Sequence, residues 1–592
     1  MPIARALDAY RQSRGNLAVV VIVDSSQGEF PLLFESAFGA LAHFGIPFRV
    51  ADLAAGPLMD GALDGCRAAL IMQEYLGGRL GATGQAALLR ADEDGMGLVS
   101  FDADLAGYGG EWLRAAGLAG AGRGGEVVTG GTAELGVRDT SHPITWWQDG
   151  ERRKSLKVPV PTALARVAGD AVTLLEDGGG APMLVARRFG RGKIVQWLVS
   201  PKLWLRQYFG HTFGLDDVWL RGITWAARKP LVMKAMPPFV RFRFDDCQGL
   251  WRDAKDLRFV DVLNEAGHVP NLSFCLRSLT ADGAAKASAL HGAGKAEFSP
   301  HTLAANTSLF YGDGAGEYSA ARFAELFGEI DETLARLGIA PSRILSDHDH
   351  GWSAHAIPGL VARGITHKMN ITMPGEPWEA VHRDWHPAPY GSMDYAFDFL
   401  PAPAERFFAV HNHYPPAFEY ARAYLDEDHF LYHRTGGYGP YKWDMLNGLT
   451  RGPLHADTQI EAVARRLADH TRLGLDAMFF GGSITHSHFI QHVGDNEWRE
   501  LLRRAEALLP RHRYERVPYD VIADYARSKV QTSIASAEEA GGTVAVELEG
   551  EAIVPVRLWV FTAEAGDEHR FETAEPFAGC RTLRFPVESH AR

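Results

Sequence analysis

Phe239-Val240-Arg241-Phe242-Arg243-Phe244-Asp245-Asp246-Cys247 is the stretch on which the fold turns. Val240, Phe242 and Phe244 alternate with Arg241 and Arg243, the two-residue period of a β-strand. Two adjacent carboxylates, Asp245 and Asp246, close it, and Cys247-Gln248-Gly249 follows as a loop. In α/β folds the carboxyl ends of strands are where sites are built. Where a strand gives way to a loop, both carboxylates can face one pocket. Like charges so close raise one pKa unless a cation or a proton is shared. The plain alternative is a strand end with one Asp capping the next helix.

Downstream the pattern repeats: a short strand, then a loop rich in His or Asp. A helix is expected over 256–266 and a strand over 269–276. A further strand ends at Ser299-Pro300-His301-Thr302. Phe323, Leu326, Phe327, Ile330, Leu334 and Leu337 form one stripe of a helix over 321–337 that Gly338 closes. A short strand at 344–346 runs into Asp347-His348-Asp349-His350-Gly351-Trp352, one at 407–410 into His411-Asn412-His413, and one at 477–480 into Gly481-Gly482-Ser483-Ile484-Thr485-His486-Ser487-His488. Seventeen of the 24 histidines fall between His291 and His492, which favours a site-bearing domain over a random scatter. A lone His is more often structural than functional. Pairs at strand ends are harder to dismiss, because one imidazole can ligate a metal while another moves a proton.

Upstream, the apolar strand 17–23 is followed by helical spacing over 31–44, then by strands at 48–50, 68–72 and 97–101 with a helix near 83–89. That alternation predicts a parallel sheet covered on both faces. Residues 185–195 read as a hairpin turning at 190–192, and 217–228 as a closing helix. Pro237 and Pro238 break the chain before the Asp-Asp strand. From about 532 onward, period-two segments with no helix between them predict a small β-domain, one that needs a neighbour for stability. The expected domains are therefore 1–235, a flavodoxin-like parallel sheet; 236–530, a distorted (β/α) barrel; and 531–592, a small β-sandwich-like domain.

With 592 residues the chain is too long for one core. A formal charge of −13 argues against a nucleic-acid or anionic-membrane partner. No stretch is apolar enough to span a bilayer, and the first residues lack the apolar core of a secretory signal, so the expected location is the cytoplasm. The four cysteines, Cys66, Cys247, Cys275 and Cys580, show no C-x-x-C spacing, which disfavours a disulfide framework or a thiolate zinc site.

The first third, with Asp139-Thr140-Ser141-His142-Pro143-Ile144-Thr145 and the Arg-Phe-Gly-Arg-Gly-Lys hairpin, resembles the class I glutamine amidotransferase-like fold. The nucleophilic Cys of that family has no counterpart: the strand ends in Ser100-Phe101-Asp102-Ala103-Asp104, and Cys66 precedes a strand. This domain is read as catalytically silent, serving homo-oligomer assembly or sugar binding. No G-x-G-x-x-G follows Val23, which disfavours a dinucleotide site.

Phe244-Asp245-Asp246, Ser299-Pro300-His301-Thr302 and the segment 479–488 together resemble three motifs of the NodB-type polysaccharide deacetylases, over about half the chain. The resemblance implies a zinc ion, or another divalent metal, and a carbohydrate substrate whose N-acetyl groups are removed. It makes Asp245 the general base, Asp246 and His301 metal ligands, and His486 or His488 the general acid. The family's second histidine ligand is replaced here by Ala305 or Asn306, and Asn is a poor zinc ligand. His348 and His350 are then the candidates for the third ligand. Trp352, Tyr390 and Asn306 are assigned to substrate, with Pro389-Tyr390-Gly391 a late match to an oxyanion motif otherwise sought at 349–352. Two other readings stay open. One is a metal-independent glycoside hydrolase pairing Asp245 or Asp246 with Asp349 or Asp394. The other is a catalytically degenerate barrel that binds polysaccharide through Trp352, Trp385, Tyr390 and Trp443.

Overall fold

The structure is a computed structural model and describes residues 12–122, 128–148, 150, 153–205, 207–211, 214–249, 256–305, 307–312, 316–348, 353, 355–372, 396–398, 408–413, 457–491, 493–563 and 568–587. They form two compact units. One is built from the residues up to Ala235 together with those from Gln531 onward, the other from those between Met236 and Val530. Among the described residues no helix is long and apolar enough to cross a membrane.

In the first unit β1 (Val19–Val23), β2 (Phe48–Asp52), β3 (Ala68–Ile71) and β4 (Gly97–Ser100) are parallel. β1, β3 and β4 are buried on both faces, as strands with helices on either side must be. The sheet is not parallel throughout. It continues through β5 (Leu118–Gly120), β6 (Val128–Val137), β7 (Arg153–Val167), β8 (Val172–Asp177), β9 (Pro182–Phe189) and β10 (Gly192–Trp197) in the order β2-β1-β3-β4-β10-β9-β8-β6-β7-β5. β10 runs parallel to β4, and every later neighbour is antiparallel. Short turns rather than crossover helices join most of these added strands, and hairpin-joined strands must run in opposite directions.

The first helical stretch is split into a π-helical turn at Phe34–Phe38 and an α-helix at Gly39–Phe44. The helix expected near 83–89 is longer, Leu76–Glu93, and starts directly after β3. The chain enters it through Tyr75, whose φ of 65° is left-handed. The sharp strand-to-helix turn thus carries a tyrosine, and no thiol stands there. Cys66 lies before β3, buried, and burial pushes its thiol pKa up despite the neighbouring Arg49 guanidinium.

The C-terminal strands share the core of this unit. β11 (Leu231–Met233) pairs with β25 (Val556–Phe561), which also pairs with β26 (His569–Ala574). β23 (Thr532–Ala540), β24 (Thr543–Ala552) and β27 (Phe577–Pro586) form a second small sheet. Leu17 and Val232 are buried among Val544, Val546, Leu558 and Val560.

The second unit opens with β12 (Phe239–Cys247), flanked by β13 (Asn271–Cys275) and β21 (Gly481–His486), with β14 (Glu297–Thr302) outside β13. All are parallel, and the short β22 (Glu515–Arg516) pairs with the start of β12. Phe242 and Phe244 face the surrounding helices, where Phe244 meets Phe259 at 4.4 Å and Phe242 meets Trp498 at 6.0 Å between ring centroids. The stripe of the helix Ala320–Leu337 packs in the same core. β21 lies so close to β12 that a Cβ on Gly482 would sit 1.8 Å from the Arg241 carbonyl oxygen, and with φ +122° only glycine fits there.

β15 (Tyr311–Gly312) and β16 (Gly316–Glu317) make a small hairpin. β17 (Ile344–Leu345), β18 (His367–Thr372), β19 (Ala396–Asp398) and β20 (Phe408–His413) form a separate sheet. Among the described residues the expected barrel is therefore not closed. The two sheets of this unit approach each other at β14 and β17, where the Ser342 N–H donates to the Phe298 carbonyl (2.7 Å) and the Ser346 N–H to Ser299 Oγ (2.8 Å). β17 is two residues long, and Pro341 ahead of it has no N–H to extend a ladder.

Candidate functional site

The site forms at the carboxyl ends of β12, β14, β17 and β21. Asp245 is opposite His486 in the β12–β21 register. One residue later the backbone breaks out of the strand: Asp246 has φ 53°, and the β12–β13 register shifts between Phe244 and Cys247. That turn lets two consecutive carboxylates serve one pocket, although strand neighbours normally point to opposite faces. The Ser487 hydroxyl donates to the Asp246 carbonyl (3.1 Å) and helps to hold the turn.

Asp245 is buried against Arg243, two residues earlier on the same strand face. Arg243 Nε donates to Asp245 Oδ1 (2.6 Å) and a terminal guanidinium nitrogen donates to Oδ2, while Ser346 Oγ reaches Oδ1 at 3.4 Å. Arg243 is fully buried and Asp245 2% exposed. Burial raises the Asp245 pKa, but the Arg243 charge, helped by His301 and His486, outweighs it and holds the carboxyl below its ordinary range.

Asp246 is surrounded by imidazoles. His301 Nε2 lies 3.2 Å and His348 Nε2 3.8 Å from its Oδ1, and His486 Nε2 lies 3.8 Å from its Oδ2. Burial opposes ionisation here too, yet the hydrogen bond to His301 and the neighbouring histidines bring the Asp246 pKa far below the carboxylate range. His301 also fixes its own tautomer. Its Nδ1–H donates to the Ser346 carbonyl (2.7 Å), which leaves Nε2 facing a carboxylate oxygen: with a proton it donates the hydrogen bond to Asp246, and without one its lone pair faces the carboxylate. Two lone pairs at that distance repel unless a cation or an additional proton lies between them.

Donor atoms of Asp246, His301 and His348 all lie within 4.8 Å of one another. One carboxylate oxygen with two imidazole nitrogens is a donor set suited to zinc, with room for a further ligand. The His301 and His348 rings are edge to face at 5.3 Å. The residue before His348 is anchored deep in the unit: Asp347 pairs with Lys368 of β18 at 3.1 Å, both buried.

Of the residues singled out from the sequence, Asp245, Asp246, His301, His348 and His486 converge. His488 is one step further along, its ring 5.1 Å from His486 and 4.3 Å from Phe489. Asn306, His350, Trp352 and Tyr390 lie outside the described residues, as do Asp349, Trp385, Asp394 and Trp443. β20 carries His411 and His413 in its backbone, and their side chains are likewise outside the described set. Reading the sequence alone missed Arg243, Ser346 and the Asp347–Lys368 pair. A guanidinium two residues before a carboxylate on an otherwise apolar strand was the available signal for Arg243. The other two depend on which strands become neighbours.

No model of a known protein family matches the chain, and no curated protein matches it. Among solved structures it is similar to the cytoplasmic protein STM3548 from Salmonella typhimurium, with 14% identity and a TM-score of 0.27 over 36% of this chain and 100% of that one. It is similar to a β-galactosidase from Bacillus circulans sp. alkalophilus, with 16% identity and a TM-score of 0.24 over 36% of this chain and 30% of the other. It is also similar to a candidate polysaccharide deacetylase from Mycobacterium smegmatis, with 13% identity and a TM-score of 0.32 over 50% of this chain and 91% of the other. Values this low assign neither a family nor an activity.

Proposed function

We propose that the second unit is a metal-dependent hydrolase that removes N-acetyl groups from an amino-sugar polysaccharide or a related carbohydrate. The observation that carries this reading is the convergence of three imidazoles on Asp246, with the His301 tautomer set by the Ser346 carbonyl so that Nε2 faces the carboxylate. Asp246, His301 and His348 would hold the ion. When bound, zinc or a similar ion supplies Lewis acidity toward an amide carbonyl and makes water a better acid.

The remaining chemistry belongs to the chain. Asp245, kept ionised by Arg243, is the base that takes a proton from the attacking water. His486, placed beside both carboxylates at the end of β21, is the acid that returns a proton to the leaving amine. His488 is the alternative for that step. Breaking the C–N bond leaves acetate and a free amine. The Arg243 guanidinium, enclosed and bidentate, keeps the base oriented between turnovers.

The test is acetate release from an N-acetylated amino-sugar oligomer by the purified full chain. It is measured before chelation, after chelation and after zinc is returned. Loss on chelation and recovery with zinc support the reading. Acetate release undiminished by metal removal overturns the metal dependence, and cleavage of the glycosidic bond without acetate overturns the reading in favour of a glycosidase.

A further inference from the structure

We infer that Lys368 of β18 is a positioning residue for the metal centre: through its buried ion pair with Asp347 it fixes the segment Ser346-Asp347-His348, and with it the third ligand. This role rests on the metal-centre reading proposed above. His348 is the ligand that needs such help. Asp246 lies near the end of the nine-residue strand β12, and His301 lies in the six-residue β14. β17 has two residues, and its pairing with β18 stops where Leu345 faces Lys368. His348 stands three residues further on, past the last ladder pair. Metal ligands have to be held within about 0.5 Å of their working place, so other bonds must do there what a ladder does elsewhere.

Those bonds come from two sides. Ser346 is tied toward the site: its N–H donates to Ser299 Oγ of β14 (2.8 Å), its carbonyl accepts from His301 Nδ1 (2.7 Å), and its hydroxyl reaches Asp245 Oδ1 (3.4 Å). Asp347, the next residue, is tied to β18. Its carboxylate meets Lys368 Nζ at 3.1 Å, and both residues are fully buried. Lys368 Nζ also donates to the Met369 carbonyl (3.3 Å), which holds the ammonium against its own strand. The segment is thus clamped between β14 and β18, and His348 follows the clamp directly, its Nε2 3.8 Å from Asp246 Oδ1.

Stability alone does not account for a buried ion pair at this place. Desolvation of the two charges offsets most of their attraction, and an apolar pair of similar volume is often as stable or more so. What the ion pair adds is direction. A carboxylate must face its ammonium, whereas apolar side chains pack in several arrangements, and fixing register is the best-attested use of such buried polar pairs. Register matters here because three parts of the site hang on one short segment. A slip of that segment would withdraw His348 from Asp246. It would also move the carbonyl that sets the His301 tautomer and the hydroxyl that contacts Asp245.

The experiment measures zinc affinity of the full chain by competition with a chromophoric chelator, beside the melting temperature. Lys368→Met should weaken zinc binding about 10–100-fold, the usual effect of removing an outer partner of a metal ligand. It should also lower the melting temperature, because Asp347 stays buried without its ammonium. The double variant Asp347→Leu/Lys368→Met separates the two effects. Apolar packing should return the melting temperature close to the parent's, while zinc binding stays about tenfold weaker or worse, since the direction is lost. As a control, His512→Leu breaks the buried Asp476–His512 contact (2.9 Å) near the start of β21, the end away from His486. It should lower the melting temperature and leave zinc affinity at the parent's value. Parental affinity in Lys368→Met overturns the inference. So does affinity that recovers with the melting temperature in the double variant, or an equal loss in His512→Leu, since the pair then acts through stability alone. A parent that binds no zinc removes the metal centre itself and this role with it, an outcome distinct from unaffected variants of a zinc-binding parent.

Discussion

Replacing Arg243 with Met should destabilise the second unit far more than the loss of an ordinary ion pair would. Both partners are enclosed, Arg243 with no exposed surface and Asp245 with 2%, and the guanidinium reaches both carboxylate oxygens. Removing one member leaves the other charge buried with Ser346 Oγ, 3.4 Å away, and the nearby histidines as compensation. Breaking a buried pair in this way costs about 3–5 kcal/mol, and for a unit of this size about 6–20 °C of melting temperature. The pH dependence follows from the lowered Asp245 pKa. Its folded value lies below its unfolded one, so the contribution is fully present above about pH 4 and is lost as pH falls through the folded value. The gap between parent and Arg243→Met should therefore narrow on acidification. The assay is thermal and urea unfolding of the full chain between pH 3 and pH 7, with the double variant Arg243→Met/Asp245→Leu alongside. The double variant should recover most of the loss, because apolar residues of similar volume replace both charges. A cost below about 1 kcal/mol for the single variant, or a double variant no better than the single, would refute the reasoning.

Asp245→Asn should keep its metal while the rate of acetate release falls by about 10²–10⁴-fold, the usual worth of a positioned base; metal loss equal to that of Asp246→Asn would make Asp245 a ligand instead. Burial pushes the Asp92 pKa up to about 8 in the folded first unit, above its unfolded value, so its contribution to stability is full below about pH 4 and is lost as pH rises through 8. Asp92→Asn should flatten the fall of the first unit's melting temperature between pH 5 and pH 9, and an unchanged slope would show that Asp92 does not carry it. The first unit should release no ammonia from glutamine, since Tyr75 occupies the strand-to-helix turn and Cys66 is buried before β3; release that disappears in Cys66→Ser would contradict this.

Much of the architecture could be read from periodicity. The alternation over 239–244 corresponds to β12, and the apolar runs at 17–23, 68–72 and 97–101 correspond to the parallel strands β1, β3 and β4. The stripe from Phe323 to Leu337 is the buried face of one helix. The hairpin read at 185–195 is the antiparallel pair β9–β10, but the further extension from β5 to β8 was not legible, because it depends on which strands pair across 118–177 rather than on any one segment's pattern. Nor was the shared core of Leu17 and Val232 with the C-terminal strands, contacts made across more than 500 residues of chain for Leu17 and more than 300 for Val232. In the site, strand-end carboxylates and histidines stood out by residue type and position. Their convergence did not: it comes from the left-handed turn at Asp246 and from the adjacency of β14 and β17. Arg241 and Arg243 read from the sequence as the polar face of a strand, yet both are buried, with Arg241 stacked 4.8 Å over the Tyr519 ring and Arg243 held by Asp245. Alternation marks two faces without saying that the polar one meets solvent.

The central claim is that Asp246, His301 and His348 form a metal centre. Zinc content of the purified full chain after equilibration with limiting zinc tests it most directly, with Asp246→Asn, His301→Ala and His348→Ala measured beside the parent. The parent should hold one ion per chain and each variant should lose it, because removing one of three ligands leaves too few to hold it. A parent that binds no metal, or variants that all keep the parent's stoichiometry, would contradict it.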